Sequence, residues 1–441
     1  MPSRPRTRTR LTRPRRRPRR SRPIVRAYLE SLEPFGTRLG LSTIRALVTA
    51  LDRPDRAYAS VLVAGTNGKG SVTAIVERAL RAAGCRTGRY TSPHLSAIEE
   101  RFEVSGAEVA PAVLDAALER VRAAAAGLAS PPTFFEVTTA AALEIFRTAQ
   151  VDVAVIEVGL GGRLDATNVV EPIAGAITAI DFDHMAELGH RLEDIAREKA
   201  GIVRPGIPIV LGRNRPAARD AVAAACEAAG AHLVDADAST EVESRLVDGR
   251  TILRLRTPHA HHENVQLALR GRHQIDNAVT AVRLLEEWPA LAGGIGEAAI
   301  RVGLEQTVWP ARLELLHWQG QPVLLDAAHN PAGARALVSY LGDAFGRRLP
   351  LVVGIMRDKA IDEMLRVLAP AASRFVLTAA DTPRAASATE LSEQARRVCP
   401  DVPQVVAANP VDALARAASA GSPVVVAGSL YLVGEIRPWL S

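Results

Sequence analysis

The clearest chemistry in the chain lies at residues 61–71, Val-Leu-Val-Ala-Gly-Thr-Asn-Gly-Lys-Gly-Ser. A β-branched apolar run ends in a glycine-rich loop with one lysine, and a helix-compatible segment follows over about 71–83. Strand, tight loop and helix start make a phosphate site. Glycines let backbone N–H groups turn inward, the helix N-terminus adds a positive dipole, and Lys69 adds a mobile charge. The common P-loop has a longer gap between its first glycine and its Gly-Lys pair. Here only Thr66 and Asn67 separate Gly65 from Gly68, so Gly68, Lys69, Gly70 and Ser71 form a shortened variant.

Other reactive residues fall where strands should end. The apolar run 151–158 reads as a buried parallel strand with one acid, Glu157, near its C-terminal end. A buried carboxylate must be paired or hold a cation, so Glu157 is either a magnesium ligand beside phosphates or an arginine-paired acid. A strand at 174–180 runs into Asp183 and His184. Ser92, in Thr91-Ser92-Pro93-His94, offers either turn chemistry or a hydroxyl oxygen to magnesium. Ligands collect at the carboxyl ends of strands in open α/β sheets. Lys69, Ser71, Glu157, Asp183 and His184 should therefore converge. Phe134 and Phe135 are either core or one wall of a flat-ring pocket near the glycine-rich Asp165 loop. The run 326–331, Asp-Ala-Ala-His-Asn-Pro, ends a later strand at a helix start, again a ligand edge.

Those residues need elements to place them. Two or three domains are expected from 441 residues. Helical patterns occupy 44–51, 111–125, 192–200 and 278–287, the last preceded by Gly271-Arg272-His273-Gln274-Ile275-Asp276-Asn277. The pattern turns antiparallel over 240–256. After Trp309-Pro310-Ala311-Arg312, strands at 322–325, 349–353, 374–377, 404–407 and 424–427 alternate with helices, the pattern of a doubly wound α/β domain.

Composition narrows the class. No apolar run approaches the roughly 20 residues of a membrane helix, so no membrane partner is expected. Cys85, Cys226 and Cys399 are scattered without metal-ligand spacing, which fits a reducing, cytoplasmic setting. Residues 1–22 hold eleven arginines and no acid; without them the net charge of +6 becomes −5. That segment reads as a disordered extension, and nucleic acid is not the expected partner of the body. Only Lys69, Lys199 and Lys359 among 54 basic residues are lysine. An amine can lose its proton or be modified where a guanidinium does not readily do so, which makes all three site candidates.

The motifs in order resemble the folylpolyglutamate synthase and dihydrofolate synthase family, related to the Mur ligases. They are the phosphate loop, Thr91–Leu95, Thr133–Glu136, 157–168 (Glu-Val-Gly-Leu-Gly-Gly-Arg-Leu-Asp-Ala-Thr-Asn), 197–202, 326–331, Asp358-Lys359 and 428–434. Gly70 favours the folate branch, since Mur enzymes usually carry threonine there. The resemblance implies a P-loop, Mur-ligase-like central domain with a parallel sheet (23–308) and a C-terminal Rossmann-like α/β domain (309–441). It implies an ATP-dependent ligase that joins L-glutamate to dihydropteroate and to tetrahydrofolate polyglutamates through an acyl phosphate, acting as a monomer on small molecules. Polyglutamylation alone, or another Mur-type amino-acid ligation, is the alternative.

By the same resemblance, Ser92, Glu157 and His184 hold one or two magnesium ions. Asn277 and Asp326 contact adenosine, and Arg312 reaches the phosphates. Leu39, Gly40, Leu41, Thr133, Phe134, Phe135, Glu136, Leu164, Asp165 and Ala166 belong to the folate pocket. His329 and Ser429 lie near the acyl phosphate or glutamate. Lys199 matches the lysine that the family carbamylates with CO2. Two departures stand out, Ala327 and Ala311, where the family has glycine. If either position needs φ > 0, alanine costs about 1 kcal/mol or more.

Overall fold

The computed structural model describes residues 24–32, 38–288 and 295–441; the arginine-rich extension lies outside the described residues. Its first sheet has the order β4-β3-β2-β5-β1-β6-β7-β8. The strands are β1 (Ala59–Ala64), β2 (Thr87–Tyr90), β3 (Phe102–Val104), β4 (Ala107–Glu108), β5 (Val153–Glu157), β6 (Ala174–Ile177), β7 (Pro208–Leu211) and β8 (His232–Asp235). β1 sits between β5 and β6 and runs parallel to both. Apart from Ser60 it is apolar, because helices cover both faces. Leu62 and Ala64 pack into one core layer, Val61 and Val63 into the other. The helices Lys69–Ala82 and His273–Glu286 lie on the second of these faces, and Phe134–Thr148 and Leu192–Ala200 on the first.

A small antiparallel sheet follows, made of β9 (Glu241–Val247), β10 (Arg250–Arg256) and β11 (His261–Gln266). The sequence pattern ended at 256 and missed β11. That strand is His-His-Glu-Asn-Val-Gln, and only His262 and Val265 turn inward. A third sheet, ordered β12-β13-β17-β14-β15-β16, has its own two core layers. Its strands are β12 (Glu314–Trp318), β13 (Gln321–Leu325), β14 (Leu349–Val353), β15 (Ala372–Leu377), β16 (Gln404–Val406) and β17 (Val424–Ala427). The five expected strands are present, and β12 is an antiparallel edge with half-exposed residues that the apolar-run signal did not register.

Three boundaries differ for physical reasons. The phosphate-loop helix begins at Lys69, because Gly68, at φ 92, supplies the left-handed turn before it. β6 stops at Ile177 rather than 180, since the next peptides serve the phosphate loop: Thr178 Oγ1 donates to the Asn67 carbonyl at 2.7 Å and the Thr66 amide to the Ala179 carbonyl at 2.8 Å. His273–Asn277 does not lead into a helix but is its first turn.

The two alanines that replace family glycines differ in backbone. Ala311 takes φ 58 while Ala327 is not in the positive-φ region, and both are buried. A left-handed alanine costs about 1–2 kcal/mol, and a buried methyl returns about 0.8 kcal/mol. Ala311→Gly should therefore leave stability nearly unchanged. Ala327→Gly should cost about 1–2 kcal/mol, losing the methyl and adding glycine's entropy. Denaturant midpoints of the two variants check this; equal losses would exclude it.

Candidate active site

β1, β5 and β6 are parallel neighbours, so the loops leaving their carboxyl ends meet. They form a cavity of about 480 Å³ that the loops after β13 and β17 cover from the C-terminal sheet. Gly68, Lys69, Gly70, Ser71, Ser92, Glu157, His184, Lys199 and Asn277 line it from the first sheet's side, and Arg312, Asp326, His329 and Ser429 from the other. The expected convergence of Lys69, Ser71, Glu157, Asp183 and His184 is what the sheet produces.

The loop glycines are required by close neighbours. A Cβ on Gly68 would lie 2.2 Å from Asn277 Oδ1, and one on Gly70 would lie 2.6 Å from the Trp309 ring. Trp309 thus seats the segment between the sheets on the first turn of the phosphate-loop helix, and Arg89 stacks on that indole at 4.9 Å. In the sequence Trp309 opens the Trp309-Pro310-Ala311-Arg312 break with no role of its own; its signal was an aromatic three residues before Arg312 in a chain with 4% aromatics.

All three lysines line this cavity. Lys69 Nζ donates to the carbonyls of Gly65 at 3.1 Å and Thr66 at 3.2 Å. Lys199 is buried and donates to the same Gly65 carbonyl at 2.9 Å. Burial, and then the charge of Lys69, bring its pKa down to about 7. Lys359, which sequence reading left without a role, donates to Asp183 Oδ1 at 3.0 Å. Asn330 Nδ2 donates to Asp183 Oδ2 at 3.1 Å and to Asn67 Oδ1 at 3.2 Å. Burial works to raise the Asp183 pKa, but Lys359, His184 and the Asn330 bond outweigh it and hold the carboxyl well below the ordinary range. Asp183 therefore latches the first sheet's loop to the C-terminal wall.

The acids are placed by backbone amides. Glu157 Oε2 accepts from the Ser92 amide at 3.2 Å; burial pushes its pKa up, against the pull of Lys69, Arg312 and Arg101. Asp326 accepts from the amides of Leu313 at 3.0 Å and Ala328 at 2.9 Å, and burial raises it to about 6. His329 Nδ1 lies 2.9 Å from the Ala327 carbonyl, so it carries the ring proton; burial lowers the pKa to about 4 and keeps the ring neutral. His184 is half exposed, at φ 51, with ring nitrogens 3.8 Å from Asp183 and 4.0 Å from Glu187. Ser429 caps its helix, accepting from the Tyr431 amide at 3.1 Å.

The remaining candidates do not line this cavity. They form a neighbouring group joined to it through Gly159 and Leu160. The Gly40 amide donates to the Leu164 carbonyl at 3.2 Å, next to Leu39 and Leu41. Phe135 fills the space beside Gly159, and Phe134 lies under the Arg101 guanidinium at 5.3 Å. Asp165, beside buried Ala166, accepts from the Leu160 amide at 2.8 Å and the Thr167 amide at 3.0 Å. Glu136 accepts from the Thr133 amide at 2.7 Å and from its hydroxyl at 2.9 Å, closing a helix capping box.

This arrangement has known relatives. Residues 63–285 match the Mur ligase middle domain and residues 311–430 the Mur ligase glutamate ligase domain, so the chain is an ATP-dependent ligase of the Mur class. More narrowly, it belongs to the dihydrofolate synthase/folylpolyglutamate synthase family. The Bacillus subtilis dihydrofolate synthase/folylpolyglutamate synthase is 32% identical, with 94% of this chain and 97% of that protein covered. The Mycobacterium tuberculosis folylpolyglutamate synthase complexed with ADP has a TM-score of 0.87 at 34% identity, covering 94% of this chain and 98% of that one. A bifunctional folylpolyglutamate synthase/dihydrofolate synthase with Mn, AMPPNP and L-glutamate bound has a TM-score of 0.81 at 32% identity, covering 94% and 97%.

Two outcomes follow. Gly70→Ala should displace Trp309 and weaken nucleotide binding, and adding Trp309→Leu should restore part of the loss, measured by nucleotide titration. No recovery would exclude the steric coupling. Asp183, with its depressed pKa, stabilises the fold above its ordinary pKa and loses that contribution as pH falls through the folded value. The melting temperature of Asp183→Asn should therefore trail the parent at neutral pH, and the gap should narrow toward about pH 3.

Proposed function

We propose that the protein joins L-glutamate by an amide bond to dihydropteroate and to tetrahydrofolate polyglutamates, spending one ATP per bond. The observation that carries this is the single cavity in which phosphate-binding groups of one sheet meet Arg312, Asp326 and His329 of the other. A carboxylate cannot accept an amine until one of its oxygens becomes a leaving group. In the reading offered here, the folate carboxylate oxygen attacks the γ-phosphorus and ADP leaves. The glutamate amine then attacks the acyl carbon, gives up a proton, and inorganic phosphate departs with the broken C–O bond. Little covalent chemistry falls to the protein, so positioning and charge dominate.

Gly68, Lys69, Gly70 and Ser71 hold phosphates through amides, ammonium and hydroxyl, and Arg312 adds charge from the opposite wall. Asn277 and Asp326 serve the adenosine. His329 Nε2, 3.9 Å from Asp183 Oδ2, is the atom we assign to take the amine proton, and Ser429 borders that place. The group around Thr133, Phe135 and Asp165 receives the pteroate. We take residues 23–308 as the nucleotide- and folate-binding part and 309–441 as the glutamate-ligating part of a cytoplasmic monomer.

Ser92, Glu157 and His184 fit one or two magnesium ions. Magnesium takes one or two carboxylates and completes its shell with substrate phosphates and water. The Ser92 amide donates to Glu157 Oε2 at 3.2 Å, and both residues line the nucleotide cavity with His184. The bound ion supplies neutralisation of phosphate charge.

Lys199 is the residue we assign to carbamylation. A pKa of about 7 leaves much of the amine neutral, able to add to CO2 with loss of a proton. The product is an anion, which turns repulsion from Lys69 into attraction. Incubation with labelled bicarbonate should add one CO2 to a Lys199 peptide after trapping, and Lys199→Arg should lose both label and ligase activity. An unlabelled Lys199 in active enzyme would remove the assignment. Glutamate-dependent phosphate release with dihydropteroate tests the broader reading. Release with tetrahydrofolate alone would leave polyglutamylation only.

A further inference from the structure

A second hollow, of about 710 Å³, lies on the other side of Arg312 and Trp309 from the phosphate loop. Its walls are the 264–270 end of the antiparallel sheet and the 305–314 segment that leads into the C-terminal sheet. Of the site residues discussed above, Arg312 and Trp309 belong to it.

Its charge is unusual. Arg250, Arg270 and Arg312 all line it, and none makes a carboxylate ion pair among the described residues. Each has one bond to a backbone carbonyl: Arg250 to Ala268, Arg270 to Leu313 at 3.3 Å, and Arg312 to Ala311 at 3.1 Å. A guanidinium carries five N–H donors, so one bond each leaves most of this donor capacity for a ligand or water. The two acids that line it are already engaged. Glu305 pairs with Arg301 at 3.0 Å, and Glu314 pairs with Arg437 at 2.9 Å and accepts from the Ala311 amide at 2.9 Å. Arg270 is part-buried, and burial together with the nearby charge of Arg250 lowers its pKa. Like charges held together without a counter-ion cost energy that an anion would relieve. Asn264 and Gln266 add amide groups to the same wall.

We propose that this hollow is a second anion site, which takes a small oxyanion of two or more charges. Arg250 and Arg270 hold it, and Arg312, shared with the nucleotide cavity, couples its occupancy to ATP. The chemistry suits a polyphosphate or a short run of carboxylates, since guanidinium groups pair with both. This inference does not depend on which folate the enzyme uses.

Calorimetric titration of the full chain, with its nucleotide cavity saturated by a non-hydrolysable ATP analogue, tests it. One arm uses pyrophosphate and the other triglutamate. Saturable binding of at least one probe is expected, and the arms identify which source of charge is favoured. Arg250→Gln/Arg270→Gln should weaken that binding by roughly tenfold or more, with the variant's melting temperature and maximal ligase rate close to the parent's. Binding of neither probe, or equal binding by the variant, would overturn the proposal. If the variant fails to fold, Arg270→Lys serves instead. It keeps the charge but loses the fork, and it should show intermediate affinity.

Discussion

Two ammonium groups donate to one carbonyl oxygen, that of Gly65. Lys69 arrives from the first turn of the helix after β1, and Lys199 from the end of a helix far along the chain. Both amines therefore meet beside the loop where phosphate will lie, and they cannot both carry full charge there at no cost. Lys199, buried beside the Lys69 charge, is the one driven toward neutrality. Much of the cavity follows from this constraint. Glu157 is close enough to feel Lys69, and Asp183 balances Lys359 on the opposite wall.

The segment between the sheets is the second determinant. Trp309 rests on Gly70, Ala311 turns through a left-handed conformation, Arg312 enters the nucleotide cavity, and Leu313 gives its amide to Asp326. Five consecutive residues therefore tie the phosphate loop to the C-terminal sheet. A left-handed alanine is tolerated here because its methyl is buried and its neighbours are held on both sides. The same segment separates the nucleotide cavity from the second, arginine-lined hollow, with Arg312 common to both.

Local patterning carried the elements whose residues are buried on both faces. β1, β5, β7, β14 and β17 are short apolar runs between turn residues, and no other reading suits them. β11, which buries only His262 and Val265, and β12, which is half-exposed along its length, were not legible because neither forms an apolar run. The site divided along similar lines. Lys69, Glu157 and His184 announced themselves by position at strand ends. Lys359 stood out by being a lysine where arginine is the rule and by the Asp358-Lys359 motif, neither of which gave it a role.

The sequence by itself determined the phosphate loop, the family and the order of the motifs, because these depend on residue types at short, fixed separations. It also marked Lys199, through a bias in composition. Only the tertiary structure decided that Lys199 and Lys69 share a carbonyl, that Asp183 joins Lys359 and Asn330, and that Trp309 is the reason Gly70 cannot carry a side chain. These are contacts between residues tens to hundreds of positions apart. No local pattern encodes such distances; they follow from parallel strands bringing their carboxyl ends to one edge.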